Sequence, residues 1–303
     1  MVKIDGRRIR TALAGACLAT AALAAVAPAE TPPAAGHRIT VLTTRDAVVG
    51  AGYAAGLPAV VTVLRYNAGT DAFDVVSRSE PIQPADDPDT PAVFDGIVAV
   101  NRGDGGCWRR LTPDIRAGDR VRIVQRDEAG TVVSRDSTIA GSVTTGPPQY
   151  VFDAVRGRFF AEVHGTAPRI TLGTGQPVAG ARVPLAQLEV RIANDDGFAT
   201  NGRRVLVTRE DGTLRYDSAD PADANWTARF PVRAIDKAEV EAGLARAIWL
   251  GRDPEAGSEH TVAENRAGGI EGGPRGGCRA PAEGSPEAVG VEPETQADPE
   301  ELE

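Results

Sequence analysis

The residues able to do chemistry are few and scattered. Three histidines, His37, His164 and His260, stand far apart, and none has a cysteine, histidine or glutamate at metal-ligand spacing. The sequence contains no Gly-x-Ser-x-Gly elbow, no glycine-rich phosphate loop ending in Lys-Ser/Thr and no His-Glu-x-x-His helix. Two acidic stretches carry hard oxygen donors: Asp86, Asp87 and Asp89, and then Asp217, Asp220, Asp223 and Asn225. Calcium takes six to eight such oxygens from carboxylates and carbonyls, which makes the second stretch a candidate calcium loop. It lacks the glycine and closing glutamate of an EF-hand, and solvated turns explain the same residues, because Asp and Asn are turn formers. Arg102-Gly103-Asp104 spells an integrin-type tripeptide, and Asn225-Trp226-Thr227 a glycosylation sequon. Both are short matches of low specificity.

The elements that must position these residues are strands. The chain has 303 residues, 42% of them hydrophobic and 25% charged, enough for one large or two ordinary domains. Its net charge of −9 argues against a nucleic-acid binder, which needs a basic face. Lys3, Arg7, Arg8 and Arg10 precede a small-residue apolar run, Thr11 to Val26, and then Ala27-Pro28-Ala29. This is the pattern of a signal peptide over 1–29 with cleavage after Ala29. Export leaves Cys107 and Cys278, most simply one intramolecular disulfide; a free thiol and an intermolecular bridge are the alternatives.

After a leader over 30–36, alternation predicts strands around Ile39 and Val41 and over 119–125 with a hairpin to 131–133; a β-branched apolar run bounded by turn residues predicts one over 59–66 with a hairpin to 73–76, and a further strand is read over 93–100. Residues 141–148 read as a linker between a module at 37–140 and another at 149–264. The second module has strands near 158–163, 169–172, 188–192, 204–208, 227–232 and 246–250. Asp211-Gly212 reads as a tight turn joining Val205-Leu206-Val207 to Leu214-Arg215-Tyr216. Asp236 with Glu239 reads as a capping box for one short helix that buries Val240 and Leu244. The apolar period ends near Asp253. Residues 265–303, with eight acids and no base after Pro281, have the composition of a disordered acidic tail. The fold class expected is all-β, two β-sandwich modules in tandem.

Several segments resemble uncharacterised secreted proteins of actinobacterial type that carry bacterial immunoglobulin-like β-sandwich modules. They are Gly52-Tyr53-Ala54-Ala55-Gly56 with the strand after it, Gly105-Gly106-Cys107-Trp108, Gly118-Asp119-Arg120-Val121, and Ile248-Trp249-Leu250-Gly251-Arg252-Asp253-Pro254. The resemblance spans roughly 37–265 and implies a secreted, non-catalytic module with no assigned ligand. The functional expectation is an extracellular binding or structural protein whose partner is a cell-envelope or extracellular polymer or protein, with no nucleic acid and no membrane span. No cofactor is expected beyond the candidate calcium. An enzyme, or a carbohydrate-binding accessory module acting on extracellular polymers, is the alternative. Paired carboxylates across a cleft would favour the enzyme. An exposed Trp226 or Trp249 without them would favour the carbohydrate binder.

Overall fold

The computed structural model describes residues 36–86, 95–102, 105–109, 112–171, 174–193, 205–208, 212–251 and 258–268. The expected signal peptide, the acidic stretch beyond Asp86, the Gly103-Asp104 pair, Cys278 and the C-terminal tail lie outside these residues. The described residues are built from β-sheet, with one short α-helix among them, α1 (Lys237–Glu241).

The first half supplies β1 (Arg38–Leu42), β2 (Ala47–Ala51), β3 (Ala59–Asn67), β4 (Ala72–Arg78), β5 (Val98–Val100), β6 (Arg120–Arg126) and β7 (Val132–Ile139). Next come β8 (Thr144–Thr145), β9 (Gln149–Asp153), β10 (Arg158–Thr166), β11 (Pro168–Ile170) and β12 (Pro177–Arg182). The chain continues with β13 (Leu188–Ala193), β14 (Val205–Thr208), β15 (Thr213–Tyr216), β16 (Asn225–Val232), β17 (Leu244–Leu250) and β18 (Ser258–Asn265).

One seven-stranded sheet, ordered β14-β13-β17-β18-β1-β2-β5, forms a floor that both halves share. Its join is the parallel pairing of β1 with β18, the first described strand with the last. A four-stranded sheet, β4-β3-β6-β7, and a five-stranded one, β15-β16-β10-β8 with β9 beside β10, cover the floor. Strand side chains alternate between faces. Val41 stands opposite Thr261, so Ile39 and Val41 share a face with Glu259, Thr261 and Ala263. Both cores therefore form on that one face. In the first, Ile39, Val41 and Val48 meet Val61, Val63, Val121 and Ile123. In the second, Val190, Ile192 and Ala247 meet Val163, Trp226 and Phe230. A small cluster of Leu42, Val49 and Val262 covers the other face.

Both anticipated hairpins form, β3–β4 and β6–β7, because their apolar alternation and turn residues agree. The 141–148 segment differs from a loose linker. Gly141, Val143 and Thr145 are buried, and the Gly141 N–H donates to Thr261 Oγ1 at 2.7 Å. The expected Asp211-Gly212 turn lies partly outside the described residues, and the strands on either side of it do not pair with each other. β14 pairs β13 in the floor while β15 pairs β16 in the five-stranded sheet, so the chain changes sheet there. A glycine serves a corner as well as a hairpin: a Cβ on Gly212 would stand 2.2 Å from the Arg229 carbonyl. The helix forms and buries Val240, but Leu244 belongs to β17. Asp236 makes no side-chain cap to the helix; its carboxylate accepts instead from the Arg233 N–H at 2.9 Å.

β18 lies past the point where the apolar period ends, yet it runs through the middle of the floor. It does so by pairing its charges. Glu264 is fully buried and accepts from both Arg45 and Arg246, and its N–H donates to Thr44 Oγ1 at 3.1 Å. A charge taken out of water needs such partners.

Candidate functional site

The Asp217–Asn225 loop does gather oxygens, but they are carbonyls, and they converge on an arginine. Arg182 Nη1, at the end of β12, donates to the carbonyls of Ser218, Asp220 and Asp223, each at 2.9 Å. Its guanidinium also lies 4.0 Å from the Tyr216 ring centre, and the Tyr216 hydroxyl donates to the Val183 carbonyl. The carboxylates are spent within the loop. Asp217 accepts from Thr227 Oγ1, Asp220 from the Ala222 N–H, and Asp223 from the backbone and side-chain N–H of Asn225. Among the described residues no group of three or more His, Cys, Asp or Glu side chains is placed to hold a metal ion. A guanidinium supplies the positive charge that the loop's carbonyls face.

His37 and His164 each have a hydrogen-bonding partner. His37 Nδ1 lies 2.9 Å from Asp136, which also accepts from Ser134 Oγ. Tyr53 packs on the His37 ring, and burial, with the Asp136 charge second, pushes its phenol well above the usual range. His164 bridges Glu162 and Thr227 across β10 and β16, where the register sets His164 opposite Thr227. His260 faces away from both cores. Burial, and then the charge of Arg38, hold it down at about 4. None of the three lies beside an unengaged nucleophile within a cavity.

Trp226 of the sequon is fully buried in the second core, which removes it as a ligand platform. Asn225 is exposed. Trp108 is likewise buried, and its indole N–H donates to the Asp46 carbonyl at 3.2 Å. Cys107 lies in the adjoining stretch, where its carbonyl accepts from the Glu80 N–H at 3.0 Å.

Trp249 is different. It is half-buried at the end of β17 and lines a pocket of about 320 Å³ at the seam between the two covering sheets. Ile139 and Ser142 come to this pocket from the end of β7 and the segment after it, and Arg169 and Ile170 from β11. Gln187 and Glu259 complete its polar wall. That volume lies at the lower end of the range for small-molecule sites, ~300–1,000 Å³.

Two glycine contacts shape the seam. Gly141 lies against the indole so closely that a Cβ would stand 1.9 Å from Trp249 Cε3. Gly118 and Gly175, both at positive φ, pack the tip of the β11–β12 hairpin onto the first half. A Cβ on Gly118 would stand 2.2 Å from the Gly175 nitrogen. Only glycine permits so close a backbone approach. Arg182 anchors the other end of this hairpin, so the pocket wall is held at both ends.

Among the described residues the side chains of Arg169, Gln187 and Ser142 make no hydrogen bond or ion pair, whereas Glu259 is engaged within the protein. The Trp249 indole N–H is buried with no hydrogen-bond partner. Glu259 is the one carboxylate among the described lining residues, so no acid pair faces across the pocket. A glycosidase needs two, roughly 5–10 Å apart.

The sequence signalled Trp249 but not Arg169, Gln187 or Ser142. These come from three separate segments, and only the crossing of the chain between sheets joins them. Comparison with known proteins adds no assignment: no family model matches the sequence, and no curated protein matches it.

Proposed function

We propose that this chain is an exported, non-catalytic binding protein built from two immunoglobulin-like sandwiches, with its ligand site in the pocket at their seam. The observation that carries the reading is the pocket's wall: an indole beside donors and acceptors that the fold itself does not use. Sites for small ligands pair an apolar surface with a few convergent polar groups in this way. The single lining carboxylate weighs against the hydrolase alternative.

Export is supported by the basic residues, apolar run and Ala27-Pro28-Ala29 at the N-terminus. Extracellular life suits a Cys107–Cys278 disulfide, which belongs to the same proposal. Among the described residues no helix is long and apolar enough to cross a membrane. The partner in this reading is a component of the producing organism's envelope. Calcium has no part in it, since the Asp217–Asn225 carbonyls already face Arg182.

The test is co-sedimentation of the mature protein with that organism's cell wall, in calcium and in chelator, beside an assay for polymer hydrolysis. Saturable binding, equal in both conditions and without hydrolysis, is expected. Hydrolysis without binding, or binding abolished by chelator, overturns the proposal.

A further inference from the structure

The seam pocket's chemistry narrows its ligand. Three features decide. Trp249 offers an aromatic surface against which the C–H face of a sugar ring packs well. Ser142 and Gln187 each offer both a donor and an acceptor, which suits neighbouring hydroxyls. Arg169 offers five donors in a planar fork and no acceptor, and among the described residues no side chain or carbonyl is bonded to it. A guanidinium pairs best with a carboxylate or a phosphate, to which it donates two parallel hydrogen bonds.

Glu259 lies in the same wall, only 7% exposed. It is already engaged within the protein, so the single guanidinium of Arg169 sets the one charge for which the pocket selects. A purely hydrophobic ligand fails, because it would strip water from Arg169, Gln187 and Ser142 without replacing those hydrogen bonds. A free inorganic anion also fails, because it would leave the indole surface and the ring-sized volume unused. A purely cationic ligand would meet Arg169 with like charge.

We infer that the pocket takes a single sugar unit bearing one acidic group, with the ring against Trp249 and the acid on Arg169. This rests on the proposal that the pocket is the binding site. The acid comes from one of two sources, a carboxylate on the sugar or a phosphate ester of it, and both pair with the same guanidinium.

The experiment is a titration of the mature protein followed by tryptophan fluorescence. Trp108 and Trp226 are buried in the two cores, so a ligand in the pocket acts on Trp249. The probes are glucuronate, glucose 6-phosphate, glucose and acetate. Glucose lacks the acid and acetate lacks the ring. Saturable quenching by glucuronate or glucose 6-phosphate is expected, and the tighter of the two identifies the acid. Glucose and acetate should each bind at least about tenfold more weakly, the equivalent of one charged hydrogen bond lost. Arg169→Ala, an exposed position where the fold has nothing to lose, should erase the preference for the acidic sugars while keeping the native circular dichroism.

Equal affinity for glucose and glucuronate, or a preference that survives Arg169→Ala, overturns the inference. So does the absence of quenching by all four probes. Cell-wall sedimentation separates the two levels. If Arg169→Ala abolishes sedimentation although no probe quenches, the pocket stands as the site and the ligand class falls. If Arg169→Ala and Trp249→Phe both sediment like the wild type, the pocket itself falls.

Discussion

Replacing Arg182 with alanine removes the one cation that the 217–225 loop surrounds. Three carbonyl oxygens at 2.9 Å converge on a single Nη1, so at least one of its two N–H groups is shared. A hydrogen bond from a charged donor contributes about 1.5–3 kcal/mol, but three made by one half-buried nitrogen do not add. The contact with Tyr216 contributes about 0.5–1 kcal/mol more. The expected loss is therefore about 2–4 kcal/mol. For a folded region of this size that lowers Tm by very roughly 5–15 °C. The assay is thermal and urea unfolding followed by circular dichroism, for wild type and Arg182→Ala, each with millimolar calcium and with chelator. The wild-type midpoint should not respond to calcium, because a guanidinium already sits among the carbonyls. A loss below about 0.5 kcal/mol, the usual range for surface substitutions, would mean that Arg182 does not hold the loop. A wild-type midpoint raised by calcium would mean that the carbonyls are open to a metal ion instead.

Other perturbations probe the parts that hold the seam together. Glu264→Gln leaves Arg45 and Arg246 facing a neutral amide, and urea unfolding should show a loss of about 3–5 kcal/mol, as when a buried ion pair is broken. His260 is held down at about 4, against an unfolded value of 6.5. Its contribution is thus complete above pH 6.5 and is lost as pH falls toward 4, at most about 3 kcal/mol. His260→Gln should flatten that part of the stability–pH curve, and an unchanged slope would contradict the burial argument. Gly141→Ala drives a methyl into the Trp249 ring, so the indole must move; red-shifted emission and weakened ligand binding are expected while both cores persist.

The strands that sequence reveals are those whose local pattern and tertiary role agree. β3 reads as a strand because it is a β-branched apolar run bounded by turn residues, and β6 because Val121 and Ile123 alternate with Arg120 and Arg122; Val61, Val63, Val121 and Ile123 all enter the first core. β18 is not legible as a strand, since it lies past the end of the apolar period and Glu259, His260, Thr261 and Glu264 interrupt its apolar residues. What makes it a strand is distant: Arg45 and Arg246 neutralise Glu264, and β1 pairs with it across more than two hundred residues. The shared floor follows from that one parallel pairing, and nothing local encodes it. The same holds for the site. Trp249 attracts notice as a tryptophan in a strand, but Ser142 and Arg169 carry no motif. They become neighbours only when the segment after β7 crosses the floor and the β11–β12 hairpin folds back to meet Gly118. Asp217, Asp220 and Asp223 show the converse. Their spacing reads as ligand chemistry, yet the loop is closed by an arginine that stands 35 residues before the first of them.

Whether the seam pocket binds a component of the envelope is read from cell-wall sedimentation of wild type, Arg169→Ala and Trp249→Phe, compared at equal concentration after each fold is verified by circular dichroism. The expected result is saturable binding by the wild type that both substitutions weaken at least about tenfold, roughly 1.4 kcal/mol. Binding by both variants at wild-type affinity would contradict binding at the pocket and move the binding surface elsewhere on the molecule.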